Sequence, residues 1–407
     1  MNILFFDVVP TNIVRFFKGA VENINGIAPG TNLFFLLEED DHNDIEHVRK
    51  HYPYAKEISY VQKRKLVWFK DYLKSNNIHA VITNAQRIPD DMVVLAARQN
   101  GIKTFMLQHG MYIPFLKRSL KFFLQKLGKT FRYLYYSMEI SKALGYGALG
   151  LTLKYFKCYV LGSNQVVESI PRDLLNVNKV YVYGDYWKSF HRMQFGYSYE
   201  DQLVIGYPDL EDVYGKDSSS LKRGVCYISQ TLVEDGRLKK EEQLSFFRRL
   251  VESTSKNKIP LHVKLHPRSD LSLFELANDF DHVVFHQDDF PFVTKYVGHY
   301  STLLAKGMMI SGDVCIFEYE NHPTPDYFKE SASNVISELS EISSWLEGDG
   351  KVKDNKIQQV FECHPNVYMS FVEDVLNEIN KDNLAIKKSS IANDNHKGND
   401  VPLIEGK

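Results

Sequence analysis

Three segments place chemically capable side chains directly after short apolar runs. Leu107-Gln108-His109-Gly110 follows the run Lys103 to Leu107. An imidazole there could take a proton near neutral pH as a general base, and it could equally be a structural histidine bonded to a neighbouring carbonyl. Gly110 permits a tight turn or a close backbone approach to a ligand. Lys264-Leu265-His266-Pro267-Arg268 ends a second run, where Pro267 stops the strand. Lys264, His266 and Arg268 cluster three potential phosphate donors, although a solvated basic loop has the same composition. In Gly298-His299-Tyr300-Ser301-Thr302-Leu303-Leu304 an apolar run gives way to hydroxyl residues and then to a helical stretch. Ser301 or Thr302 can cap that helix, and its free N–H groups suit a phosphate.

Acidic groups offer fewer choices. Glu234-Asp235-Gly236 comes shortly after Ser229-Gln230, and either carboxylate could orient a hydroxyl or act as a base. The same triplet could simply be an acidic first helical turn. Glu318, beside Tyr319, closes a later run and could accept from ribose hydroxyls, while Asp7 ends the first run and is a reserve candidate or a turn former. Asp279-Phe280-Asp281 has metal-ligand spacing but precedes its strand, the wrong end for a ligand cleft, so no essential divalent metal is expected. No Gly-x-Gly-x-x-Gly follows the first run and no Walker loop occurs, which argues against dinucleotide redox chemistry and ATP hydrolysis; no cofactor is expected.

The elements that must position these residues alternate between strand and helix. Apolar runs at Ile3–Phe6, Leu33–Leu37, Ala80–Thr83, Thr104–Leu107, Val180–Tyr183 and Leu203–Ile205 are separated by helix-length spacers, the pattern of a parallel sheet covered on both faces. The polar, turn-rich segment Pro208–Lys222 reads as a boundary. The pattern restarts at Val225–Ser229, Leu261–Leu265, Val283–Phe285, Tyr296–Gly298 and Val314–Phe317, with a helix over Lys239–Ser255 and a last helix over Tyr368–Ile379. The expected class is α/β: two doubly wound Rossmann-like domains, 1–207 and 222–380, facing across a cleft, with a polar disordered tail at 381–407. Two cores suit 407 residues, and 44% apolar with 25% charged residues is the composition of a folded globular chain. A net charge of −2 supplies no global field for nucleic acid, which is not an expected partner. The four cysteines lack paired spacing and read as reduced core thiols. The N-terminal MNILFFDVVP reads as a first strand and not as a secretory signal.

The order of motifs, histidine-glycine, then Lys-Leu-His-Pro, then Tyr-Ser-Thr opening a helix, resembles that of bacterial capsule and lipooligosaccharide transferases of the two-domain GT-B fold. It is similar in particular to the sialyltransferase-like and Kdo-transferase-like enzymes that use CMP-sugars. It also resembles the teichoic acid polymerases that transfer polyol phosphate from CDP-glycerol. The resemblance implies a metal-independent, inverting glycosyltransferase moving a sialic-acid-like or Kdo-like sugar onto a glycan or lipid-linked acceptor of capsule, O-antigen or lipooligosaccharide. It gives His266 and Ser301, with Thr302, the nucleotide phosphate, and His109 the place of the first-domain base of the polyol-phosphate enzymes. Ser229, Gln230, Lys264, Pro267, Arg268 and Glu318 complete the expected nucleotide-sugar side. The acidic triplet of the sialyltransferases is missing from the first half, its only match being Glu234-Asp235-Gly236. His109, Glu234 and Asp235 therefore all stand as candidate bases. A CDP-polyol phosphotransferase, a nucleotide-sugar epimerase of the same architecture and an inactive partner of an assembly complex are the alternatives.

Lys117 to Arg132 carries six cations and no acid, interleaved with Leu120, Phe122, Phe123, Leu124, Leu127 and Phe131. This suits a helix on anionic lipid, or one packing its apolar side on the first domain with its lysines solvated. Together with the absence of any apolar run of about 20 residues, it suggests a cytoplasmic protein, peripheral at the inner face of the plasma membrane.

Overall fold

The computed structural model describes residues 1–38, 42–110, 127–161, 172–216, 218–320, 322–348 and 356–396. Two all-parallel sheets organise them. The first has seven strands: β1 (Asn2–Asp7), β2 (Asn32–Leu37), β3 (Glu57–Tyr60), β4 (Ala80–Thr83), β5 (Lys103–Leu107), β6 (Lys179–Val182) and β7 (Gln202–Val204), in the order β3-β2-β1-β4-β5-β6-β7. The second has six: β8 (Lys222–Ile228), β9 (Leu261–Lys264), β10 (Val283–His286), β11 (Val293–Gly298), β12 (Val314–Phe317) and β13 (Asn334–Ile336), in the order β10-β9-β8-β11-β12-β13. Both are doubly wound, with chain order reversing beside β1 in one sheet and beside β8 in the other. That reversal opens the crevice in which such sheets bind ligands. This is the GT-B architecture expected from the sequence.

Local sequence accounts for the central elements. In β1, Ile3 to Asp7 are all buried, as a strand covered on both faces requires. Pro10 then sits at the start of helix α1 (Pro10–Ile27), where its missing N–H costs nothing, and Ile13, Phe17, Ala20, Val21 and Ile24 recur at helical spacing on the buried face. The other helices used below are α2 (Ile88–Gln99), α3 (Leu127–Ala143), α4 (Thr152–Leu161), α5 (Lys240–Lys256), α6 (Thr302–Ile310) and α7 (Val367–His396).

Three features depart from the expectation. Strands β3 and β13 had no visible signal: both are short and flank their sheets at an edge, and β3 is only half-buried, so neither carries a full apolar run. Helix α7 continues past Ile379 into the polar segment, as far as His396. It also leaves the second domain, because Val367, Phe371, Val372, Val375, Leu376 and Ile379 pack with Ile3, Phe5, Ile13 and Phe17 in the first core. This helix, placed by sequence in 222–380, thus caps the first sheet from the far end of the chain.

The crossing that carries α7 back is tied down by backbone. Glu362 N donates to Tyr183 O at 2.8 Å and Tyr207 N donates to Glu362 O at 2.8 Å. Two glycines make room for it. A Cβ on Gly184 would lie 2.7 Å from the carbonyl oxygens of Gln359 and Val360, and one on Gly206, whose φ is +86°, would lie 2.9 Å from Glu362 O. Between the domains, Lys306 of α6 reaches Asp212 of the linker at 2.8 Å.

Candidate functional site

Sheet order brings the expected residues together. Strands β9, β8, β11 and β12 are successive neighbours, so the segments after them, Leu265–Arg268, Ser229–Gln230, His299–Thr302 and Glu318, line one edge of the second sheet. Strands β1, β4 and β5 are likewise adjacent, which aligns Asp7, Arg87 and His109 along one edge of the first sheet.

On the second-domain edge, His266 Nδ1 accepts the Arg268 N–H at 3.1 Å. A neutral ring in that role carries its proton on Nε2, which leaves an N–H donor for a ligand. Burial, and then the positive charges of Arg268 and Arg15, hold its pKa below the ordinary histidine value, so the ring is neutral at physiological pH. The Arg268 guanidinium bonds Asp235 Oδ1 and Thr231 Oγ1, both at 3.1 Å, and Glu234 Oε1 accepts the Asp270 N–H at 2.8 Å. Glu234 and Asp235 thus clamp the loop after β9 to the loop after β8, and Arg268 neutralises the carboxylate of Asp235. Pro267 is exposed at the apex of this loop.

Other residues of the expected nucleotide-sugar side are engaged within the protein. Lys264 is still inside β9 and buried, and its Nζ donates to the Gln287 carbonyl. Ser301 is the N-cap of α6, and its hydroxyl takes the Leu303 N–H at 3.3 Å, occupying one of the N–H groups that could have met an anion. Glu318 accepts from Thr324 N at 2.8 Å and pairs with Lys329 at 2.5 Å, which engages the carboxylate expected at ribose. Gln230 Nε2 donates to the Tyr300 carbonyl and so fastens the β8 loop to the segment entering α6; Ser229 N donates to Lys264 O at 3.0 Å.

On the first-domain edge, Asp7 is fully buried at the tip of β1. Its Oδ1 accepts from Val9 N at 2.7 Å, from Asn12 Nδ2 at 3.2 Å and from Arg87 Nη1 at 3.2 Å. Arg87 also forks onto Asp90, at 2.6 Å and 3.0 Å, and burial raises the Asp90 carboxyl to about 6. His109 packs edge-on against the Phe16 ring, 4.0 Å between centroids, and its Nδ1 is buried with no hydrogen-bond partner among the described residues. Burial pushes its pKa down to about 4, with Asp7 acting in the opposite direction and Arg87 and Arg15 adding to the fall. Gly110 follows with a φ of +57°, the left-handed turn its residue type permits.

Arg15 was not anticipated. It is exposed on α1, one residue before Phe16, and its charge bears on both His109 of the first domain and His266 of the second. A lone arginine on the polar face of an amphipathic helix has no sequence signature; only the fold brings it within electrostatic reach of both histidines.

The basic stretch from Lys117 lies outside the described residues up to Lys126. Its last member, Arg132, is buried and pairs with Glu38 at 2.8 Å, so it is a structural cation and not a lipid contact. The helices that follow expose Phe131, Leu149, Leu153 and Phe156. No described helix is long and apolar enough to cross a membrane. Cys226 and Cys315 are buried free thiols pushed up by burial, and Cys363 is a half-buried one.

No protein-family model matches the chain, and no curated protein matches it in sequence. Solved structures do match in fold. A UDP-N-acetylglucosamine 2-epimerase superposes with a TM-score of 0.54 at 8% identity, covering 94% of this chain and 97% of its own. The UDP-GlcNAc 2-epimerase of Methanocaldococcus jannaschii gives 0.52 at 9% identity, over 93% and 100% of the two chains. That of Neisseria meningitidis, bound to UDP-GlcNAc, gives 0.52 at 7% identity, over 93% and 99%. At such identities the likeness is one of fold, and its coverage takes in both sheets.

Proposed function

We propose that this protein is a glycosyltransferase that uses a nucleotide-activated sugar, with the donor phosphate on the second domain and the acceptor hydroxyl on the first. What supports the reading is the placement of His109 and His266 just after β5 and β9, at the carboxyl edges of the two parallel sheets where such folds take ligands. In this reading the acceptor O–H gives its proton to the neutral His109 ring as the oxygen attacks the anomeric carbon. The bond from that carbon to the donor phosphate breaks with inversion, and the nucleotide leaves with the electron pair. The His266 N–H, the Arg268 and Arg15 guanidinium groups and the Thr302 side of α6 stabilise the charge that develops on it, without a divalent metal. The motif order adds the finer expectation of a CMP-linked, sialic-acid-like or Kdo-like donor. The exposed apolar side chains on α3, α4 and the turn between them fit a lipid-linked acceptor at an anionic membrane, in capsule or lipopolysaccharide synthesis.

Calorimetry of the protein against CMP, CDP, UDP and GDP tests the donor class, and binding of none of them would end the reading. A second reading, epimerisation of a nucleotide sugar, is favoured by the names of the solved structures that share the fold. Incubation with the bound nucleotide sugar and no acceptor separates the two, because only an epimerase returns an isomerised nucleotide sugar.

A further inference from the structure

Strands β10 and β11 are parallel and stand three places apart in the order β10-β9-β8-β11, yet only residues 287–292 connect them. A crossover between parallel strands ordinarily takes a dozen or more residues and a helix; this one contains no helix. Register gives the distance it must cover. His286 is level with Lys264, Ile228 and Gly298, and Val293 lies five residues before Gly298 on β11. Three strand spacings sideways and five residues along the strand make about 22 Å, while the seven steps from His286 to Val293 reach at most about 25 Å. The crossover is therefore a taut strap. It also touches the linker. Phe290 stacks on Tyr296, 5.4 Å between centroids, beneath the Lys306 ammonium that holds Asp212. Phe292 has the Lys216 ammonium over its ring at 3.8 Å.

Where the strap leaves β10, His286 Nδ1 meets Asp289 Oδ2 at 2.9 Å, and His286 Nε2 meets Nδ1 of His262 on β9 at 2.8 Å. The carboxylate only accepts, so the neutral His286 carries its proton on Nδ1, its Nε2 accepts, and His262 donates from Nδ1. One added proton can be shared between the facing nitrogens. A second leaves two N–H groups facing each other and breaks the contact. We propose that His262, His286 and Asp289 form an acid-opened clasp that holds the strap, and through Phe290 and Phe292 the linker, against the second sheet. The clasp is independent of the reaction proposed above. The charges facing the pair are Lys222 from β8, Lys264 from β9, and Asp288 and Asp289 from the strap itself. Burial first, then His286 and Lys222, hold His262 below the ordinary histidine value, with Asp289 opposing. Its neutral form is thus the folded one, and the clasp is closed at pH 7 and opens as pH falls below about 6.5 toward the lowered value.

Nitrogen-15 NMR of the full chain at pH 7.5, with His262→Gln and His286→Gln to assign the signals, should show both rings protonated on Nδ1. Hydrogen exchange then reads the strap. The Leu265 amide bonds His286 O and the Val293 amide bonds Tyr296 Oη, at the two ends of the crossover. Corrected for the intrinsic effect of pH, their protection should fall at least about tenfold between pH 7.5 and pH 5, while the amides of β1 keep theirs. The Leu210 and Lys216 amides of the linker should loosen with them. His262→Phe removes the site of the second proton, so protection at Leu265 and Val293 should be the same at both pH values. An Nε2–H tautomer on either ring of the wild type at pH 7.5 overturns the proposal without any variant, and so does wild-type protection that ignores pH. A His262→Phe protein that folds and still loses protection in acid overturns it as well. Loss at the strap with none at Leu210 and Lys216 overturns its hold on the linker.

Discussion

Lowering the pH separates a buried histidine base from any other candidate in this cleft. Burial sets the His109 imidazole at about 4, where an unperturbed histidine titrates near 6.5. That difference corresponds to about 3.4 kcal/mol against the charged ring. At pH 5 about 90% of His109 is then still neutral and competent, whereas an unperturbed histidine would be only about 3% neutral. The profile of kcat/KM against pH reports the free enzyme, so its acid limb should fall near 4 and activity at pH 5 should be close to the plateau. Nucleotide release from the donor identified by calorimetry supplies the assay, with circular dichroism at each pH to establish that the chain is folded. His109→Ala should keep donor affinity, lose the limb and lower the plateau by roughly 100-fold to 10,000-fold. Glu234→Gln and Asp235→Asn, whose side chains clamp the loop after β9, should lose far less turnover. A limb near 6.5, or a dead Glu234→Gln or Asp235→Asn beside an active His109→Ala, would refute the assignment.

His266→Ala should weaken nucleotide binding by about 1.5–3 kcal/mol, the worth of one hydrogen bond to a charged group, with the fold intact; calorimetry measures it, and unchanged affinity would remove His266 from the donor site. His299 is a core histidine, bonded through Nδ1 to Phe317 O at 3.0 Å and lowered to about 4 by burial. Its neutral form is the folded one, so its contribution is present at pH 7 and is lost as pH falls from the unfolded value near 6.5 toward 4. Urea titrations should show the wild type losing about 2 kcal/mol more than His299→Phe between pH 7 and pH 5, and parallel losses would contradict this. Gly206→Ala, at a φ of +86° and against Glu362 O, should cost more than about 1 kcal/mol and lower Tm, and an unchanged Tm would mean that the crossing chain yields freely. Leu153→Glu and Phe131→Glu should reduce flotation with phosphatidylglycerol vesicles, whereas equal flotation would place lipid contact elsewhere.

The sequence was sufficient for whatever depends on local pattern. The inner strands of each sheet were legible because a strand covered on both faces must be apolar throughout, as Ile3–Phe6 and Val314–Phe317 are. The positions of His109, His266 and Ser301 shortly after strand ends followed from those strands, and so did their place along the carboxyl edges of the two sheets. Edge strands β3 and β13 escaped notice because an edge need not be buried. Side-chain direction could not be read in the same way. Lys264 and His266 differ by two positions in the chain, yet one is spent on the Gln287 carbonyl and the other is free to donate. Whether Glu234 and Asp235 serve chemistry or the loop after β9 depended on partners more than thirty positions away. Only the tertiary structure returned α7 to the first core and brought Arg15 within electrostatic reach of both His109 and His266. Those outcomes are decided by long-range packing between chain segments, whose energy is spread over many residues and leaves no periodic trace in any one of them.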